Sequence, residues 1–309
     1  MVPQSIAVMN GQVGVGKSAL VANLAGLAAA SGWRVLAVDL DQQGALADLL
    51  GYQARSDHGR GLLNAALHGE PLEPLRNVRS GLDVVAGGQQ LRWLSDELSR
   101  RQTLETMSPS RPYEWLAVAL GPFGPSYDLV IADTGAVGGW LHLAVGSAFA
   151  FIVAPFSPGA NSSQGLTQIA FLYDEIRRTG HNPDIELLAV VLTQLANGAS
   201  QLERRTRVEL AEMLAPEATV LRSTIRYAAP TAVDLAGRRL FGSELGFDLD
   251  SSGQAGRPQN SGLLAQPGRR DSGDVEAAAA LIGDYEAVIT ELLALFRQRS
   301  AARVKDARQ

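Results

Sequence analysis

The chain contains no cysteine, which removes disulfides, thiolate zinc sites and cysteine-held iron–sulfur clusters at once. A long uninterrupted apolar run is missing as well. The most hydrophobic stretch, Leu141 to Phe156, is broken by His142, Gly146, Ser147 and Pro155, so it is too short and too interrupted to cross a bilayer and reads as a buried helix running into a buried strand. The opening residues, MVPQSIAVMN, show no basic region followed by an apolar core, and a cytoplasmic address is expected. There is no excess of positive charge: the formal net charge is −5, so any attraction for nucleic acid has to come from a local patch. His58, His68, His142 and His181 are scattered without metal-ligand spacing, and no Ser-His-Asp or Cys-His arrangement is suggested.

What is present is enough apolar material, 46 % of 309 residues, for a sizeable core. A single domain spanning residues 1–309 is expected. Continuous apolar runs recur at Ile6 to Met9, Trp33 to Leu40, Tyr127 to Asp133, Ala148 to Pro155 and Glu186 to Thr193, the mark of parallel strands buried on both faces. Helical spacing follows most of them, at Ala19 to Ala30, Gln164 to Arg178 and Ser200 to Leu214. Alternation of this kind predicts an α/β fold, a doubly wound and mostly parallel sheet flanked by helices. From Ala45 to Leu120 the chain reads as short helices around one strand, Leu82 to Ala86, and a further strand is expected over Thr219 to Arg222. Residues 242–274 are rich in glycine, serine, proline and charge without an apolar period, so a flexible insertion is expected. A final helix from Val275 to Arg299 has apolar residues at spacings of three and four, and a basic tail is expected over 299–309.

The densest signal is SIAVMNGQVGVGKSA, Ser5 to Ala19. Gly11, Gly16, Lys17 and Ser18 satisfy the pattern G-x-x-x-x-G-K-S/T, with a buried strand before and a helix after it. The loop Gly11, Gln12, Val13, Gly14, Val15, Gly16, Lys17, Ser18, Ala19 therefore reads as a phosphate cradle. Backbone N–H groups in a glycine-rich turn can wrap a phosphate, and the following helix offers the positive end of its dipole. In that setting Lys17 neutralises the β and γ phosphates and the Ser18 hydroxyl completes a magnesium shell. Two other strands end in acid: Asp39 and Asp41 close the run WRVLAVDLDQQG, and Asp133 closes YDLVIAD. Ligands in open α/β sheets gather at such strand ends.

These motifs resemble those of the ParA/MinD family of ATPases, whose phosphate loop reads K-G-G-V-G-K-T/S and whose second strand ends in D-x-D-P-Q-G. The resemblance implies ATP with Mg²⁺ as cofactors, Asp39 and Asp133 with Ser18 around the metal, and Asp41 polarising the attacking water beside Lys17. It implies partition of plasmid or chromosomal DNA as the function, with non-specific DNA and a centromere-binding protein as partners. The DNA patch would run through Arg204, Arg205, Arg222 and Arg226, in a segment where arginine outnumbers acid. Adenine preference comes from the resemblance alone. Three departures stand out. Gln42 replaces the usual proline; Thr134, Gly135 and Ala136 follow Asp133 where relatives carry a small residue and two prolines; and Gln12 and Val13 stand where relatives place lysine and glycine. In the family's ATP-bound dimer that lysine reaches the other subunit's phosphates, so a weak or conditional homodimer and slow hydrolysis are expected, with strain at Val13 if its site needs a positive φ. Two alternatives stay open. One is a membrane-associated positioning ATPase of the MinD kind, which the nearly apolar-free tail argues against. The other is a nucleotide-binding regulator with little turnover.

Overall fold

The computed structural model describes residues 1–104, 111–135, 140–159, 162–179, 181–196, 198–214, 218–228 and 272–306. One eight-stranded sheet organises them. Its strands are β1 (Val2–Val8), β2 (Val35–Leu40), β3 (Leu75–Arg79), β4 (Leu82–Val85), β5 (Leu129–Thr134), β6 (Phe149–Phe156), β7 (Glu186–Leu195) and β8 (Thr219–Arg226). They lie in the order β3-β4-β2-β5-β1-β6-β7-β8, and every pairing is parallel except β3 with β4. The helices are α1 (Lys17–Ala30), α2 (Ala45–Leu50), α3 (Arg60–His68), α4 (Leu94–Thr103), α5 (Arg111–Leu120), α6 (Trp140–Ala148), α7 (Ser162–Thr179), α8 (Ser200–Leu214) and α9 (Ser272–Asp306). This is the doubly wound arrangement that the alternating runs predict, and the stretch around Leu141 to Phe156 is the expected helix passing into a strand, α6 into β6.

Side-chain alternation along each strand separates two cores. Ile6, Val8, Val35, Ala37, Leu129 and Ile131 face α1 and α9, whereas Ala7, Leu36, Val38 and Val130 face the layer containing Trp115 and Leu116 of α5. β6, with all eight residues buried, shows why the central runs are unbroken in sequence: each face has a helical layer to cover it.

Four expectations change. The region 45–120 holds two strands, since β3 returns antiparallel on β4 through the two-residue connection Ser80–Gly81, with Gly81 at φ +73. A Cβ at Gly81 would also approach the Trp33 carbonyl at 3.0 Å. β8 continues to Arg226, past the expected end at Arg222. β6 runs to Phe156, one residue past the expected end at Pro155. The final helix starts at Ser272 and runs to Asp306, so residues 272–274 are helical and the basic residues from Arg299 belong to a docked helix. Arg299 and Arg303 reach Glu186 at 3.4 and 3.7 Å, and the Arg303 guanidinium stacks 4.3 Å over the Phe151 ring. The rest of the expected insertion, 242–271, and the last three residues lie outside the described residues.

α9 is also pinned along β8. Asp284 accepts from the Arg226 backbone N–H at 2.9 Å and from its guanidinium at 2.6 and 2.8 Å, while Glu291 accepts from the N–H groups of Arg222 and Ser223, both at 2.9 Å. β8 is an edge of the sheet, and these carboxylates occupy donors that an exposed edge would offer to another strand.

Candidate nucleotide-binding site

The sheet register assembles the site. Val8 pairs with Asp133 across β1 and β5, and Asp39 pairs with Asp133 across β2 and β5. The two acids therefore emerge side by side at the strand ends, on the α1 face with Ala37 and Ile131. Above them the chain leaves β1 and turns through Gly14 at φ +79 and Gly16 at φ +87, with nothing within 4 Å of a Cβ built at either glycine. Gly16 is the N-cap of α1, no side chain caps the helix, and no acid sits in its first turn. Its terminal N–H groups and dipole are thus left for an anion.

The electrostatics are those of a site awaiting a counter-charge. Asp39 and Asp133 are both 0 % exposed. Burial pushes the Asp39 carboxyl up to about 7, against its hydrogen bonds from Tyr52 and the backbone. Burial pushes Asp133 up to about 8, with the neighbouring Ser18 hydroxyl opposing the rise and the charges of Asp39 and Asp41 adding to it. Neither Asp133 oxygen has a well-formed hydrogen bond among the described residues. Lys17 is driven below its ordinary value by burial, with Asp133 and Asp41 pulling the other way, and its Nζ donates to the Gln12 carbonyl at 2.7 Å. Two fully buried acids, one of them without a well-formed hydrogen bond, cost stability in the absence of a ligand.

Asp41 sits at the rim, where its Oδ1 accepts from the Gln43 N–H at 3.0 Å. A Cβ at Gly135 would come within 2.9 Å of that same oxygen, so glycine lets the backbone after β5 touch Asp41 without displacing its carboxylate. Gly135 is therefore in contact with the site, while residues 136–139 lie outside the described residues. Val13 is 85 % exposed and is not among the non-glycine residues with positive φ, which are His58, Asn77 and Gln194. The left-handed turn falls on Gly14 instead, and the strain considered for Val13 does not arise.

Several residues that hold the loop carry no sequence signature. Asn10 donates to the Pro155 carbonyl at 2.7 Å and accepts from the Gln12 N–H at 2.7 Å. Thr134 donates to the Val8 carbonyl and Thr193 to the Val15 carbonyl, each at 2.9 Å. Gln194, at φ +55, donates to the Gly14 carbonyl and accepts from Ser157. Their only signal is position: each is a polar residue at the C-terminal end of a buried strand or just beyond it.

The four arginines expected to meet DNA are not equivalent. Arg204 and Arg222 are exposed. Arg205 pairs with Glu209 on the same helix at 2.8 Å, and Arg226 is clasped by Asp284.

Magnesium fits this donor set. No three His, Cys, Asp or Glu side chains converge on a common point among the described residues, and Mg²⁺ characteristically uses one or two carboxylates with waters and substrate phosphates. The Asp133 oxygens, without a well-formed hydrogen bond and beside the Ser18 hydroxyl, would suit such an incomplete shell.

Comparison with known proteins agrees with the geometry. A family model described as the CobQ/CobB/MinD/ParA nucleotide binding domain matches residues 6–232. The chain is 31 % identical over 205 residues to the chromosome-partitioning ATPase Soj of Thermus thermophilus, covering 66 % of this chain and 74 % of that protein. It is 28 % identical over 207 residues to the chromosome partitioning protein ParA of Myxococcus xanthus, covering 65 % and 70 %. Among solved structures it is similar in fold to cobyrinic acid a,c-diamide synthase from Mycobacterium smegmatis with bound ATP analog and magnesium (TM-score 0.62, 23 % identity, 78 % of this chain and 96 % of that one). A plasmid partition protein from Borrelia burgdorferi bound to AMPPNP covers more (TM-score 0.59, 16 % identity, 96 % of this chain and 99 % of that one).

Proposed function

The chain belongs to the CobQ/CobB/MinD/ParA nucleotide-binding family, and from that premise we propose that it is a ParA-type ATPase that works as an ATP-dependent switch in plasmid or chromosome partitioning. The observation that carries the proposal is the buried pair Asp39 and Asp133, 0 % exposed and in register at the foot of an uncapped helix. In this reading Gly11 to Ala19 cradle the phosphates and Lys17 leaves the Gln12 carbonyl to meet them. Ser18, Asp39 and Asp133 hold Mg²⁺, which when bound neutralises the phosphate oxygens. Asp41, at the solvent-facing rim, orients the attacking water. The nucleotide selects one conformation, and DNA or a centromere-binding partner binds that conformation better, so hydrolysis resets the cycle.

Non-specific DNA contact is assigned first to the exposed Arg204 and Arg222. Arg205 and Arg226 would have to exchange Glu209 and Asp284 for phosphate. No helix of the described residues is long and apolar enough to cross a membrane, and the docking of Arg299 and Arg303 on Glu186 weighs against a surface-binding tail of the MinD kind. The chain's place is then the cytoplasm, with the nucleoid when DNA-bound. A second reading, a regulator with little turnover and a weak homodimer, is favoured by Gln12, whose side chain brings no cation to a partner's phosphates.

One experiment separates the two readings. Phosphate release and ATP-dependent sedimentation are followed with and without DNA across a salt series, for wild type and for Gln12→Lys with Val13→Gly. The switch reading expects DNA affinity to fall steeply with salt, and expects the slope to flatten in Arg204→Ala with Arg222→Ala. A flat wild-type slope removes the DNA function. Hydrolysis that appears only in the Gln12→Lys, Val13→Gly variant favours the regulator.

A further inference from the structure

Asp39 and Asp133 are equally buried neighbours, yet they are held differently: the Ser18 hydroxyl lies beside Asp133, while Asp39 is gripped by several donors. Asp133 has no well-formed hydrogen bond on either oxygen among the described residues. Asp39 accepts at Oδ1 from the Asp41 N–H, 3.1 Å away, and at Oδ2 from the Tyr52 hydroxyl, 2.8 Å away. A Gly87 N–H also bonds it. The backbone presses from the same side, since a Cβ on Gly87 would lie 2.2 Å from the Asp39 carbonyl oxygen. Tyr52 is 1 % exposed, and its ring packs in the core layer with Leu46 and Leu50 of α2. Its own N–H bonds the Ala47 carbonyl at 3.1 Å. Phenylalanine would fill the same volume, so the hydroxyl is the part that packing does not require. A buried tyrosine hydroxyl needs a partner, and this one is aimed at an acid of the nucleotide site.

We propose that Tyr52 is a positioning residue of the Mg²⁺–nucleotide site, fixing the Asp39 carboxylate from behind so that the neighbouring Asp133 is the group left free to adjust to the metal. The proposal rests on the reading of Asp39 and Asp133 as magnesium-shell residues. It places a determinant of that shell outside every motif, at the far end of the α2 segment that follows Asp41. A hydrogen-bonding partner behind a metal-site residue limits that residue's orientations before the ion arrives, and loss of such partners typically weakens metal affinity roughly 10- to 100-fold.

The test is equilibrium binding of a fluorescent, non-hydrolysable ATP analogue to the full chain, titrated with Mg²⁺ and repeated in EDTA. It compares wild type, Tyr52→Phe, Asp39→Asn and the double variant. Tyr52→Phe is expected to raise the half-saturating Mg²⁺ concentration about tenfold while leaving the metal-free affinity and the thermal melt of the folded protein close to wild type. It is expected to add nothing further on the Asp39→Asn background. Equal Mg²⁺ dependence in wild type and Tyr52→Phe overturns the proposal. So does a loss of the same size with and without metal, or a loss that persists undiminished beside Asp39→Asn, because either marks a general packing role. If wild type itself binds the analogue no better with Mg²⁺, the underlying reading of the two acids fails, and the proposal falls with it.

Discussion

Asp133 at the end of β5 and the acids on α9 are treated in opposite ways by the same fold. Asp284 and Glu291 meet backbone N–H groups and a guanidinium at 2.6 to 2.9 Å. For Glu291, partial burial works upward, but the N–H groups of Arg222 and Ser223 outweigh it and bring the carboxyl below its usual range. Asp133, deeper still, has no such hydrogen bonds and rises to about 8. A carboxylate surrounded by donors stabilises the folded chain; one buried without them destabilises it until a cation arrives. The contrast of Glu291 with Asp133 marks one as a structural clasp and the other as an acid short of donors; Asp39 has donors, but its complete burial outweighs them and keeps it raised.

The largest effect expected from disturbing this contrast is at the loop. Lys17→Ala removes a cation whose charge acts on Asp133 and leaves the triphosphate to backbone donors. Charge-assisted hydrogen bonds are worth about 1.5–3 kcal/mol each, so nucleotide affinity should fall by roughly 10- to 150-fold in calorimetry for each one lost. Binding at wild-type strength would mean that the loop is not a phosphate cradle. A smaller effect is expected at the clasp. Asp284→Asn weakens a part-buried, two-pronged pair with Arg226 and should lower folding stability by about 1 kcal/mol in urea titrations, with nucleotide affinity unchanged. A change in nucleotide affinity of tenfold or more would instead tie α9 to the switch.

The central sheet and the loop were legible because their physics is local. Continuous apolar runs such as Phe149 to Ala154 have few other uses, and a glycine loop between strand and helix states its own geometry. The pairing of Asp39 with Asp133 was half legible: both ends were visible, but their register depends on the order β2-β5-β1, which no single segment encodes. β3 escaped because Leu75 to Arg79 carries only two apolar residues among two arginines and an asparagine, and an edge strand needs one buried face rather than two. The clasp of β8 and the docking of Arg299 and Arg303 escaped for another reason. The partners of Arg222, Ser223 and Arg226 lie at Glu291 and Asp284, across a stretch whose composition carries no structural period, and charge on an amphipathic helix reads equally well as a solvated face. Tyr52 and Gln194 left no trace because a single polar group aimed at a distant loop has no periodicity.

The two kinds of acid give opposite signs under the same substitution, and pH makes the sign measurable. Asp39 and Asp133 are raised to about 7 and about 8 from an ordinary 3.8, so the folded, nucleotide-free protein holds protons that the unfolded chain has released. As adjacent acids they titrate as a pair. Their contribution to stability is fully present below the unfolded value near 3.8 and is lost as pH rises through the folded values near 7 and 8. The decisive measurement is denaturant unfolding of the nucleotide-free chain between pH 5.5 and about 8.5, for wild type, Asp133→Asn and Asp284→Asn. The account predicts that wild type loses stability across that window. Asp133→Asn should flatten the loss and be the most stable of the three at the alkaline end, and Asp284→Asn should be less stable than wild type throughout. A wild-type stability that holds level or rises with pH, together with an Asp133→Asn chain weaker than wild type at the alkaline end, would contradict it.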